Sequence, residues 1–183
     1  MKVLFTLLFL LLATGCSTTK SYYTLGDNLA VDSTDNYKEN IAVVKVTVPK
    51  YLEEFKLVRQ TSPYNVEIID KANWLTPMQK RLTDVLIDYL QQSMNNPNVH
   101  LYPWDSSNKD KKRVSVRIKK FIAYNNNVIL KADYKIHDLE TNTIKSELFK
   151  TSVKTDGTLD GMMASMEKAY LELATNIKNN IIK

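Results

Sequence analysis

A single cysteine in 183 residues excludes a disulfide framework within the chain and any zinc or iron–sulfur centre built on several thiolates. Two histidines and four glycines leave little material for a metal centre or a glycine-rich phosphate loop. HExxH, GxSxG, the P-loop and a GxGxxG followed by a ribose-binding acid are all missing. The longest apolar run, residues 3–12, is half the length a transmembrane helix needs, about 20 residues. Charge is nearly balanced, with 25 basic and 20 acidic side chains. What is present, 44% hydrophobic and 25% charged residues, describes one ordinary globular domain and excludes a disordered chain or a multi-span membrane protein.

The N-terminus reads as a processing signal. Lys2 is a minimal basic region, VLFTLLFLLL follows it, and the small residues Ala13, Thr14 and Gly15 lead to Cys16. The only cysteine standing directly after Leu-Ala-Thr-Gly resembles the lipobox of bacterial lipoproteins. That resemblance implies cleavage after residue 15 and acylation of the Cys16 sulfur, with Ser17 behind it implying sorting to the outer membrane. The expected organisation is a signal peptide over 1–15, a lipidated cysteine and tether over 16–21, and one domain over 22–183. Two or three acyl chains, at about 0.8 kcal/mol per buried CH₂, hold such a protein firmly.

Along the mature chain, residues 22–25 read as a short strand and residues 26–40 as a polar loop. The β-branched stretch 41–48 reads as a buried strand ended by Pro49. Residues 56–61 and 65–70 are two more strands around a Ser-Pro turn. Thr76, Pro77 and Gln79 form a capping-box pattern before Met78, Leu82, Val85, Leu86, Tyr89 and Leu90, which recur at helical spacing. Asn95, Asn96 and Pro97 end that helix. A short strand over 99–102 and a solvated loop over 105–112 follow. Residues 113–124 and 128–137 form a hairpin around three asparagines, and residues 143–154 a further strand. A last helix runs over 159–181 with an apolar stripe from Leu159 and Met162 to Ile177 and Ile181. Leaving the short first strand aside, the order β-β-β-α-β-β-β-β-α predicts an α+β fold: a mostly antiparallel sheet with two amphipathic helices packed on one face.

No residue stands out as catalytic, and no cofactor or metal is expected. His100 and His137 have no partner motif and read as solvated or structural. KDKKRVSVRIKK, residues 109–120, is either a contact for anionic headgroups or an acidic partner, or simply a loop and an exposed strand face; the second reading is preferred. Nucleic acid is not an expected partner. Met162, Met163 and Met166 either line a pocket for an apolar ligand or pack the core, the latter preferred. Tyr51, Leu52 and Phe55 follow Pro49 in an expected loop, and Trp74 and Leu75 precede a helix. Apolar residues so placed either meet a partner or tuck under as staples. Pro49, Tyr51, Leu52 and Trp74 are therefore the candidate interface residues.

Taken in order, the lipobox, Tyr22-Tyr23-Thr24-Leu25, VVKVTVPKYLEEFKLVRQTS, Trp74 with Pro77 before a leucine-bearing helix, a long hairpin, and Asp156-Gly157 before the last helix resemble the ABC-type transport auxiliary lipoprotein family, of the paraquat-inducible protein C type. The resemblance implies a compact α+β domain without catalytic residues. It further implies an accessory subunit, anchored in the outer membrane and facing the periplasm. Its implied partners are an MCE-domain (mammalian cell entry) protein and an ABC-type or related inner-membrane permease that move lipids or other hydrophobic molecules. A second copy of the chain is a further candidate partner. The alternative is a free-standing lipoprotein that binds a small apolar ligand itself.

Overall fold

The longest alternating stretch of the chain organises the rest. In a computed structural model that describes residues 19–27, 31, 33, 36–103 and 109–183, strand β6 (Lys112–Tyr124) is paired along its whole length with β7 (Asn127–Asp138). The turn is tighter than the sequence predicts. It uses only Asn125 and Asn126, at φ of 49° and 55°, the left-handed pair that suits the twist of a two-residue hairpin. β7 pairs in turn with β8 (Thr143–Lys154) through twelve register positions. Val128, Leu130, Ala132, Tyr134 and Ile136 are buried on one face of β7, as its period of two requires.

The other edge of β6 is shared. β2 (Ile41–Val44) runs parallel to its start, and β3 (Lys56–Ser62) meets its end at Arg59 opposite Ala123. β5 (Val99–Tyr102) lies parallel on the far side of β2. β4 (Asn65–Trp74) pairs antiparallel with β3, and β1 (Ser21–Tyr23) pairs parallel with β4. The short first strand is present, over Ser21–Tyr23, and four strands precede the first helix rather than three. The sheet has eight strands, and its long interfaces are antiparallel.

The strand expected over 41–48 breaks after Val44. The Val46 N–H leaves the sheet to donate to Thr83 Oγ1 at 3.0 Å, and only Thr47 returns to bridge Arg117. Helix α1 (Met78–Ser93) and helix α2 (Leu159–Ile181) pack on the same sheet face, α1 over β2 and β5, α2 over β7 and β8. Tyr170 joins them. Its buried hydroxyl donates to the Leu82 carbonyl at 2.7 Å, and its ring lies 6.3 Å from that of Phe121.

The two helix starts differ. Thr158 caps α2 by accepting from the Gly161 N–H at 3.0 Å, with Asp160 in the first turn. The capping box expected at α1 is not formed. Leu75 N–H is bound to the Tyr23 carbonyl at 2.8 Å, so the chain enters α1 directly from the sheet, through Pro77 in an extended conformation and with no side-chain cap. The chain after β1 is clamped as well. Arg81 pairs with Asp27, and the Gly26 N–H donates to Glu167 at 2.6 Å. Gly26 sits at φ +78°, where an added Cβ would lie 2.4 Å from Val85.

Asp138 organises the β7–β8 turn. Its Oδ1 accepts from the Thr141 N–H at 2.9 Å and the Glu140 N–H at 3.1 Å, and its Oδ2 meets Lys112 at 3.0 Å. The backbone bond to Thr141, then the Lys112 ammonium, hold its pKa at about 2. The folded value lies below the unfolded one, about 3.9. Its stabilisation is therefore present above roughly pH 4 and is lost as pH falls towards the folded value. The stability difference between the wild type and Asp138→Asn is expected to be largest above that pH and to close on acidification. Urea midpoints measured along a pH series check this; a difference independent of pH contradicts it.

Candidate functional site

Pro49, Tyr51 and Leu52 are placed by the connection between β2 and β3, and Trp74 ends β4. Pro49 at φ −68° leads into one 3₁₀ turn, Lys50–Leu52, closed by Leu52 N–H to the Pro49 carbonyl at 2.9 Å. That turn points Leu52 inward, to 1% exposure, and Trp74 is buried to 2%. Both belong to the core, so for these two candidate interface residues the tucked-under reading holds and the docking one is corrected. Tyr51 and Pro49 are half-buried. The Tyr51 hydroxyl accepts from the Phe121 N–H at 2.8 Å, which supplies an acceptor on the edge of β6 away from β7, between the Thr47 bridge at Arg117 and the β3 contact at Ala123. Desolvation pushes the Tyr51 phenol above its usual pKa. In each apolar group the neighbour stays outside. Phe55, Leu75 and Tyr22 are more than half exposed, and backbone bonds from Trp74 to Phe55 and from Leu75 to Tyr23 bring these strand ends to one corner of the sheet.

Arg59 and Gln60 are still tied to β6, at Ala123 and Lys120, and beyond them the tip of the β3–β4 hairpin is open to solvent. Tyr64 at its tip is 100% exposed, and Val66 and Ile68 are at least half exposed. The sequence predicts two plain strands here, over 56–61 and 65–70. Residues 64–68 alternate apolar with polar, the pattern of a half-buried strand, so nothing local in the sequence marks this hairpin as exposed.

The two histidines lie on different strands. His100 Nε2 meets Asp110 Oδ1 at 3.0 Å, and His137 Nε2 meets Asn142 Oδ1 at 2.9 Å. Each has one local partner, which is the structural reading. Among the described residues no group of three or more His, Cys, Asp or Glu is placed to hold a metal. Met162, Met163 and Met166 are buried in the helix–sheet core. A groove of about 420 Å³ runs between α1 and the β5 edge, past Ile87, Gln91 and Leu101, and a neighbouring one of about 370 Å³ shares Asp84 and Leu101.

In the basic stretch, residues 113–118 alternate as expected, Val114, Val116 and Ile118 in and Arg117 out. Arg117 pairs with Asp133 at 2.8 Å and Lys119 with Asp133 at 3.1 Å. The Arg117 guanidinium, with Lys119, holds the Asp133 carboxyl below its usual range. Cys16 lies outside the described residues. Among those residues no helix is long and apolar enough to cross a membrane.

Solved structures share this arrangement. The crystal structure of an uncharacterized protein is 22% identical with a TM-score of 0.72, the match covering 89% of this chain and 99% of that one. A protein of the DUF330 family from Xanthomonas campestris is 12% identical with a TM-score of 0.71, covering 86% and 92%. At such identities the likeness is one of fold. No curated protein matches the chain. The family model described as the ABC-type transport auxiliary lipoprotein component matches residues 23–178, from the end of β1 into the last turn of α2, and the chain belongs to that family.

Proposed function

We propose that this chain is a lipid-anchored, non-catalytic accessory subunit of an MCE/ABC-type envelope transport system for lipids or other hydrophobic molecules. It is acylated at Cys16, held in the outer membrane and turned to the periplasm. The observation that carries the reading is the family match over residues 23–178, which takes in the helices and nearly the whole sheet. The signal, the lipobox and the short tether before β1 add the anchor. The exposed hairpin tip at Tyr64 and the corner of Tyr22, Phe55 and Leu75 offer apolar surface for docking, in place of the buried Leu52 and Trp74. The alternative of a free-standing ligand carrier has less support, because the methionines that would line its pocket are packed into the core.

The deciding experiment is cross-linking in membranes followed by affinity capture of the tagged lipoprotein. Recovery of an MCE-domain protein, lost on Tyr64→Ala, is the expected result. A chain that cross-links to no MCE-domain protein while staying folded in the membrane overturns the reading.

A further inference from the structure

We propose that the outward face of β6, β7 and β8 lies on the anionic surface of the bilayer that holds the Cys16 anchor, with both helices turned away from it; this rests on the anchoring proposed above. The register of the three strands assembles the face. Lys120 stands opposite Lys131, and Lys131 opposite Lys150. Lys135 and Lys154 share the outward positions, and Asp133 is their single acid. Asp133 is already shared by Arg117 and Lys119. A shallow depression of about 340 Å³ beside it brings Lys45, Ser115 and Lys135 together around Arg117.

Like charges directly opposed across strands destabilise a sheet, so a cationic row of this kind is held against a folding penalty. The helical layer has no such single sign. α1 carries Asp84 and Asp88 beside Lys80 and Arg81, and α2 carries Asp160, Glu167 and Glu172 beside Lys168.

Two further observations favour a bilayer over an acidic protein as the occupant. Leu148 is 81% exposed and Ile144 60%, both on this face, Leu148 opposite Asp133 and Ile144 opposite His137. Apolar side chains set among lysines are the pattern of an interfacial surface, the cations on phosphates and the apolar groups at the acyl boundary. The anchor also reaches. From Cys16 to β1 is five residue steps, roughly 17 Å extended. β1 lies three strands from β6, roughly 14 Å at ordinary strand spacing. A sheet laid flat on the membrane satisfies the tether.

The test uses the full processed chain in vesicles of phosphatidylcholine alone or mixed with phosphatidylglycerol, and in detergent micelles. Amine labelling is read by mass spectrometry. Lys131, Lys135 and Lys150 are expected to label about threefold or more slowly in the anionic vesicles than in the neutral ones, and to recover at high salt. Lys80 and Lys168 on the helices should not change. In K131E/K150E the protection of Lys135 and Lys154 should vanish while the unfolding temperature stays that of the wild type. Equal labelling in the two vesicle types overturns the proposal. Protection already present in micelles also overturns it, and assigns the face to another protein or a second copy. Intact mass reads the anchor separately: an unacylated chain that still shows anionic-vesicle protection sinks the anchor and leaves the face.

Discussion

Leu52→Ala is expected to lower the unfolding free energy by about 2–5 kcal/mol, the range for truncating a buried leucine. The side chain is 1% exposed and belongs to the main core cluster. It sits on a single 3₁₀ turn whose closing bond, Leu52 N–H to the Pro49 carbonyl, holds the residue in place. Tyr51→Phe tests the other half of the same turn. It keeps the ring and removes the one acceptor of the Phe121 N–H, whose residue is fully buried. Leaving a buried donor unpaired costs about 1–3 kcal/mol. Equilibrium denaturation of the two variants separates a structural turn from a docking loop. If Leu52→Ala changed stability by less than about 0.5 kcal/mol and instead weakened capture of a partner, the turn would be an interface after all.

The contrast between this turn and the rest of the sheet explains what could be read from the sequence. β7, β8 and α2 begin and end within a residue of their expected limits, because a period of two or of 3.6 is a local property that each stretch carries alone. Which half of Leu52–Phe55 or of Trp74–Leu75 turns inward is not local. It depends on Phe121, seventy residues from Tyr51, and on Tyr23, which takes the Leu75 N–H. The same tie to Tyr23 carries the chain into α1 without the capping box that Thr76 and Gln79 advertise. The cationic face is a third case. Lys120, Lys131 and Lys150 are ordinary outward residues in their own strands, and only the register between strands puts them in one row. The anchor is the opposite case: everything that points to Cys16 lies within sixteen consecutive residues.

Cys16→Ala is expected to move the protein out of the membrane pellet or leave it as the unprocessed precursor, with no acyl mass in either form. The size of the effect follows from the anchor arithmetic, since two or three chains at about 0.8 kcal/mol per CH₂ outweigh any contact the domain face can make. Normal fractionation with an unchanged mass would sink the claim. The consequence of the anchor depends on where the tether ends. β1 pairs with β4, with Tyr22 opposite Asn73, and Arg81 and Glu167 hold Asp27 and Gly26 just beyond it. The stretch from Cys16 to the start of β1 is then five residue steps, a reach of at most roughly 17 Å. A domain of this size has a radius of gyration of about 15 Å. On the proposed anchoring such a protein stays at its membrane, and a transport partner would have to extend to it. The Leu75 amide reports on this directly, because its bond to the Tyr23 carbonyl exists only while β1 is docked. Slow hydrogen exchange at Leu75 is the expected result. Random-coil exchange there would free the chain to about residue 41, lengthen the tether to roughly 80–90 Å, and make a roaming domain the better description.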